Sequence, residues 1–169
     1  LKAFEEDDRK QHFLFNSVAA SGNIPALQWL ISKGCKKDEA QSLASAAKMG
    51  QLETVKWLRG RGFEWDEDVC HRAAEGGHIF VLEWLHSHGC PWGRWTCTGA
   101  AKHGHLETLK WLHEHGCPWD GVAGIIAAMW GHLEVLQYLH GNGCRWYYES
   151  ICNAAARHGQ LNIVQWLHS

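Results

Sequence analysis

Residues 104–112 have the sequence Gly-His-Leu-Glu-Thr-Leu-Lys-Trp-Leu. The apolar side chains two, five and eight positions after Gly104 follow the i, i+3 spacing of one face of an α-helix. A second glycine, Gly116, lies twelve positions after Gly104 and predicts a left-handed cap that ends this helix. A short loop then leads to Asp120, a residue type that commonly caps helix N-termini. This stretch therefore predicts a helix, a tight loop and the start of another helix.

The same pattern occurs six times along the 169-residue chain, at intervals of 27 or 28 residues. Each copy is marked by an anchor glycine: Gly22, Gly50, Gly77, Gly104, Gly131 and Gly159. Trp or Tyr follows every anchor glycine after seven residues, Leu follows after eight, and Ala precedes it by three. One helix pair cannot bury its own apolar stripe, so neighbouring pairs must stack. The sequence predicts an all-α fold, an α-solenoid of six stacked helix-turn-helix repeats. We expect one domain over residues 1–169, with residues 1–11 as a polar leader.

These repeats resemble the ankyrin repeat family, whose corresponding helix has the pattern Gly-His-Leu-Glu-Val-Val-Lys-Leu-Leu. The resemblance covers residues 12–169 and implies a protein-binding module. The chain looks like a divergent, short-loop type rich in Trp and Cys, because its period is shorter than the ankyrin period of about 33 residues. The missing residues fall where the family carries a projecting β-hairpin finger, and the family's Thr-Pro-Leu-His signature is absent. We therefore expect loops shorter than about seven residues and little or no strand.

Composition excludes several classes of function. The formal net charge of −2 argues against a nucleic-acid-binding surface, and no apolar run approaches the ~18 residues of a membrane span. Seven cysteines cannot all pair internally, which favours a reducing compartment, the cytoplasm by default or a plastid. The chain does not begin with Met, so we expect it to be a piece of a longer or processed protein.

The abundant His and Cys residues raise the question of metal binding or catalysis. Each recurs at a fixed position once per repeat, and neighbouring helices lie roughly 8–10 Å apart. Such ladders cannot converge on one ion at the ~2.0–2.3 Å that zinc requires. No CxxC pair, phosphate-binding glycine loop or nucleophile elbow is present. The sequence therefore predicts no metal, no cofactor and no catalytic site, and a Cys–His nucleophile pair is the one catalytic alternative left open.

Aromatic residues fall into two groups. The Trp found at fixed repeat positions predicts a packing ladder within the core. Other aromatic residues break the repeat pattern, and we expect a partner to bind them together with the neighbouring Arg94. The predicted partner-binding residues are Phe80, Arg94, Trp95, Trp130, Tyr147, Tyr148 and Trp166. Trp166 belongs to this set because the last helix is expected to leave Ile163, Val164 and Trp166 uncovered.

The predicted function is a non-catalytic protein–protein interaction scaffold whose partner is another protein or the subunits of a larger complex. The alternative is a structural or linker subunit that bridges chains in a large assembly, for example an algal photosynthetic supercomplex.

Overall fold

Short helices follow one another along the whole described chain. The computed structural model describes the backbone of residues 2–169 and the side chains of residues 9–169, and in that part of the chain every regular element is a helix. The helices are α1 (Lys2–Ser21), α2 (Ile24–Ser32), α3 (Glu39–Lys48), α4 (Leu52–Gly60), α5 (Glu67–Glu75), α6 (Ile79–Ser87), α7 (Arg94–Lys102), α8 (Leu106–Glu114), α9 (Gly121–Trp130), α10 (Leu133–Gly141), α11 (Tyr148–Arg157) and α12 (Leu161–Leu167). The prediction of an all-α fold of helix-turn-helix repeats is confirmed.

Two glycines in each repeat set the lengths of the connections. The anchor glycines lie in the turns within the helix pairs, with φ between 71° and 81°. The glycines that end the second helices, such as Gly116 with φ 78°, have the same left-handed backbone. The loops between pairs, such as 115–120 between α8 and α9, are six residues long. The prediction of loops shorter than seven residues in place of a hairpin finger is therefore confirmed.

In three repeats, an aspartate is the N-cap of the first helix of the pair. Asp38 accepts a hydrogen bond from the backbone N–H of Gln41, and Asp66 and Asp120 cap α5 and α9 in the same way. These caps satisfy N–H groups that have no partner within the helix, as the sequence predicts. The other pairs begin differently, since α7 follows Gly93 and α11 follows Tyr147, and neither helix has a side-chain cap.

The core consists mainly of the Leu and Ala positions. In the first five repeats, Leu eight residues after the anchor glycine is at most 5% exposed, and Ala three residues before it is fully buried. The prediction that the repeated Trp residues are packed inside the core is wrong. Trp29 is 60% exposed, and the equivalent aromatic residues of the later repeats are half-buried. The rings are too large for the narrow space between closely packed Ala-rich helices, so they lie at its border.

The chain falls into two compact units, residues 1–91 and 92–169. In the first unit α3 packs between α1 and α5, and in the second α9 packs between α7 and α11. The backbone of the leader is the first part of α1, and its acidic side chains up to Asp8 lie outside the described side chains. That the whole chain forms one domain stays a prediction.

The end of the second unit differs from expectation. Ile163 of α12 is fully buried, and Val164 and Trp166 are half-buried. The expectation that all three are uncovered is wrong, because Ile163 packs into the space between its own helix and the preceding ones.

Candidate protein-interaction surface

The aromatic residues that break the repeat pattern lie at the surface. Phe80, Trp95, Trp130 and Tyr148 are between 45% and 56% exposed, and Tyr147 is 84% exposed. Arg94 is also exposed, whereas Trp166 is half-buried. All of these residues except Phe80 belong to the second unit.

The structure brings some of these residues together. Arg94 starts α7 and places its guanidinium carbon 5.1 Å from the centroid of the Trp95 ring. An ion pair of 3.2 Å with Asp120, the N-cap of α9, holds the Arg94 side chain in this position. An arginine and a tryptophan, both enriched in interface hot spots, are thus side by side on the surface.

Tyr148 and Trp166 form a second group, near the end of the second unit. They line one pocket together with His140, Trp146 and Leu167. The Tyr148 hydroxyl lies 3.1 Å from Nδ1 of His168 and donates a 3.3 Å hydrogen bond to the Leu167 carbonyl oxygen. These bonds fix the tyrosine ring against α12, so this group is an ordered surface.

Trp130 lies apart from both groups, at the end of α9. It lines a small depression with Met129, His158 and Gln160. Phe80 lies in the first unit, where its ring packs edge-on against His78 at 5.7 Å. The predicted partner-binding residues therefore form several separate exposed places rather than one patch.

In the second unit, the residue directly after each of the last two anchor glycines connects neighbouring repeats. Nε2 of His132 lies 3.0 Å from the carbonyl oxygen of Lys102, and Nε2 of Gln160 donates a 3.2 Å hydrogen bond to the carbonyl oxygen of Met129. Both side chains reach back to the turn of the preceding repeat. His132 thus makes a polar contact at a helix end.

Cations and imidazoles stack on aromatic rings along the loops, an arrangement that sequence reasoning missed. The ring of His113 stacks on Trp119 at 3.8 Å, and Trp119 packs edge-on against Tyr138 of the next repeat at 6.1 Å. In the first unit the guanidinium of Arg59 takes the same place over Trp65, at 4.2 Å. The signal was present in the sequence, because Arg or His lies nine residues after most anchor glycines.

The cysteines are free thiols, and those in the loops donate to backbone carbonyl oxygens of the preceding repeat. Cys117 donates to Gly93 at 3.5 Å and Cys144 to Asp120 at 3.3 Å. Burial raises the pKa of Cys144 to about 11, and a hydrogen bond with Cys117 together with burial raises the pKa of Cys97 far above its usual value. A cysteine nucleophile needs the opposite shift, so these two thiols are suited to packing rather than to catalysis.

One carboxylate is buried in the first unit. Burial tends to raise the pKa of Glu75, but hydrogen bonds from Nζ of Lys48 at 3.0 Å and Nη1 of Arg72 at 2.9 Å outweigh it and lower the pKa to about 2. His71 lies 3.7 Å from the other carboxylate oxygen. Lys48 belongs to α3 and Glu75 to α5, so the ion pair joins adjacent repeats.

Among the described side chains, no three His, Cys, Asp or Glu residues converge in a way that would hold a metal ion. No helix of the described chain is both long and apolar enough to cross a membrane.

Comparison with known proteins agrees with the fold. The family model described as ankyrin repeats in many copies matches residues 97–140 and 125–168. The crystal structure of the human ASB11 ankyrin repeat domain superposes with a TM-score of 0.65 at 18% sequence identity, covering 91% of this chain and 81% of that one. No curated protein matches in a sequence search.

Ankyrin repeats generally mediate protein–protein interactions, and their fold is typically a non-catalytic module. The match of the family model to the second unit agrees with the short turns, the paired helices and the glycine positions described above. The family model thus identifies ankyrin repeats in residues 97–168, and the prediction of an ankyrin-like repeat fold is confirmed.

Proposed function

We propose that the chain is a non-catalytic protein-interaction scaffold and that a partner protein binds the exposed aromatic residues of the second unit. The observation that carries the proposal is the exposure of Trp95, Trp130, Tyr147 and Tyr148 on a fold whose core is filled without them. Exposed aromatic rings are costly, because a fully covered ring removes ~150–250 Å² of mostly apolar surface from water, and each of these residues is about half exposed or more here.

Order at this surface supports the proposal. Arg94 is fixed between Asp120 and the Trp95 ring, and Tyr148 is fixed by its contacts with α12. A partner that binds pre-positioned side chains loses less conformational entropy on binding. Arg94 and Trp95 together are the central contact that we propose.

The experiment begins with crosslinking and purification of the partner, followed by binding measurements on variants. Replacing both Trp95 and Trp130 with Ala is expected to weaken binding by at least tens of fold, because truncating one hot spot commonly costs ~2 kcal/mol or more. Circular dichroism checks that helix content is unchanged.

Trp29→Ala supplies the matched control. Trp29 is as exposed as Trp130, but it occupies a repeat position in the first unit. The proposal requires that this variant binds like the wild type. Unchanged affinity of the Trp95/Trp130 variant, with crosslinks in the leader before Phe13, contradicts the proposed surface.

The alternative of a structural linker subunit has no separate support. An uncovered apolar face at the last helix would favour a neighbouring chain there, but Ile163 of that helix is fully buried. We therefore propose the scaffold alone.

A further inference from the structure

Cationic side chains cluster at the ends of the second helices and in the following loops of the first two repeats. We define the basic edge as Lys33, Lys37, Arg59 and Arg61 together with Trp57 and Trp65. All six belong to the first unit, and each of the four cations lies over an aromatic ring.

Stacking holds the two arginines in place. The guanidinium carbon of Arg61 is 4.3 Å from the centroid of Trp57, and that of Arg59 is 4.2 Å from the centroid of Trp65. Arg59 also donates a 3.0 Å hydrogen bond from Nη1 to the carbonyl oxygen of Phe63. A guanidinium that stacks through its face keeps its remaining N–H groups directed outward in the plane, where they can bind a carboxylate.

The first repeat supplies the two lysines of the basic edge. Nζ of Lys37 lies 4.2 Å above the ring of Phe63, the residue whose carbonyl oxygen receives the bond from Arg59. Lys33 lies 5.9 Å from the centroid of Trp29. Lys37 and Arg59 thus both contact the buried Phe63 and lie near one another.

Three of the four cations form no ion pair with the described carboxylates of residues 9–169. Lys37 pairs with Glu39 at 3.1 Å, but among the described side chains no ion pair to a carboxylate involves Lys33, Arg59 or Arg61. Glu64 is the exposed acidic residue nearest in sequence to the two arginines. Asp38, Asp66 and Glu67 are also exposed near these loops, so the positive charge is concentrated at the guanidinium groups of Arg59 and Arg61.

The same positions in the second unit do not carry permanent charge. His113 and His140 replace Arg59, and His115 and Asn142 replace Arg61. The two histidines corresponding to Arg59 still stack on their loop tryptophans, at 3.8 Å and 5.2 Å. The stacking is thus a property of the repeat, and the arginines add a charge that the stacking does not require.

We propose that the basic edge binds an acidic peptide segment of a partner protein, a short stretch in which Asp or Glu residues predominate. The argument is charge complementarity, since the guanidinium groups of Arg59 and Arg61 have no carboxylate partner among residues 9–169 and match the geometry of carboxylates. A nucleic acid fits less well, because the faces of Trp57 and Trp65 on which bases would stack are covered by the arginines. The proposal rests on the protein-binding function proposed above but concerns a different surface.

The test is selection of a displayed library of random dodecapeptides on the whole chain, followed by affinity measurements on the enriched peptides. Enriched peptides are expected to be rich in Asp and Glu and to bind at least tenfold more weakly in 500 mM than in 50 mM NaCl, because salt screens exposed charges. The variant Arg59→Gln/Arg61→Gln is expected to lower their affinity at least tenfold. Glu64→Gln is expected to raise it, since this change removes a repelling carboxylate from the edge.

Two further variants give the controls. Arg59→Lys/Arg61→Lys keeps the charge but loses the planar group, so its affinity is expected to fall between the wild type and the glutamine variant. Replacing Trp95 and Trp130 with Ala is expected to leave peptide binding unchanged, so failure of the scaffold surface and failure of the basic edge are distinguishable. Circular dichroism of every variant confirms folding.

Three outcomes would overturn the proposal. They are enrichment of peptides without acidic residues, affinities that change less than twofold in Arg59→Gln/Arg61→Gln, and binding of single-stranded RNA through these arginines without any acidic peptide being selected.

Discussion

The imidazole of His132 lies directly against Gly104 of the preceding repeat. A Cβ atom built on Gly104 would lie 2.6 Å from Nδ1 of His132, and Gly104 also has a φ of +73°. The anchor glycine is therefore required twice, once for its left-handed backbone and once to leave space for the side chain of the next repeat. The same arrangement occurs between His78 and Gly50 in the first unit.

This relationship predicts that two similar substitutions have different effects. Gly116 has a φ of +78°, and a Cβ atom there would meet nothing within 4 Å. Gly116→Ala is expected to cost about 1–2 kcal/mol of unfolding free energy, the cost of the left-handed backbone. Gly104→Ala is expected to cost at least about 1 kcal/mol more, because His132 must also move. Urea denaturation of both variants measures the difference, and equal losses would show that the histidine contact contributes nothing.

A second prediction compares the loss of stability when a core residue and a residue at the border of the core are truncated. Leu112→Ala is expected to cost about 2–5 kcal/mol, because Leu112 is fully buried. Trp111→Ala is expected to cost less, since Trp111 is half-buried and stacks on His115 at 4.2 Å. Thermal and urea unfolding rank the two variants. A larger loss at Trp111 would restore the view that the repeated tryptophans form the core.

The fold was predictable because its causes are local. Glycines with left-handed backbone, aspartate caps and the spacing of Leu and Ala act within about 28 residues, and a six-fold repeat makes each signal visible. The degree of burial of the repeated tryptophans was not predictable in this way. It depends on how closely the Ala-rich helices approach, which is a property of packing between repeats and not of the pattern within one.

The candidate surface was predictable only in part. Residues that break the repeat pattern, such as Trp95 and Tyr147, are exposed as expected, because nothing in the repeat provides space to bury them. Which of them lie together was not predictable, since this depends on contacts such as that of Tyr148 with α12. The basic edge escaped sequence reasoning because Arg59 and Arg61 occupy repeat positions, and only the structure shows that none of the described carboxylates pairs with them.

A third prediction concerns pH. The pKa of Glu75 is lowered from its ordinary 4.5 to about 2, so the ionised form stabilises the folded chain at neutral pH. This contribution is fully present above about pH 4.5 and is lost as the pH falls towards 2, and it amounts to roughly 3 kcal/mol at most. Glu75→Gln is therefore expected to be less stable than the wild type at pH 7, and the difference is expected to shrink between pH 5 and pH 2.5. Urea denaturation at several pH values measures it, and a pH-independent difference would contradict the assignment.

A fourth prediction concerns the thiols. Cys97 is fully buried and Cys144 nearly so, and both have raised pKa values. Both are expected to resist iodoacetamide at pH 7.5 in the folded chain, because the thiolate is the reactive form. Cys152 is only half-buried and is expected to react first. Mass spectrometry of digested samples over time gives the order, with urea-unfolded chain as the control, and early labelling of Cys97 would contradict the packing described here.

The contact between His132 and Gly104 has a consequence for how such a chain evolves. Each contact needs only a glycine in the preceding turn, and every repeat supplies that glycine in the same backbone conformation. Excision of residues 105–131 would join Gly104 to His132 and regenerate the sequence Gly-His-Leu-Glu that starts the second helix of a repeat. Unequal recombination within the gene can therefore lengthen or shorten the protein in steps of 27 codons. The binding surface can grow or contract by whole helix pairs, without compensating mutations in the units that remain.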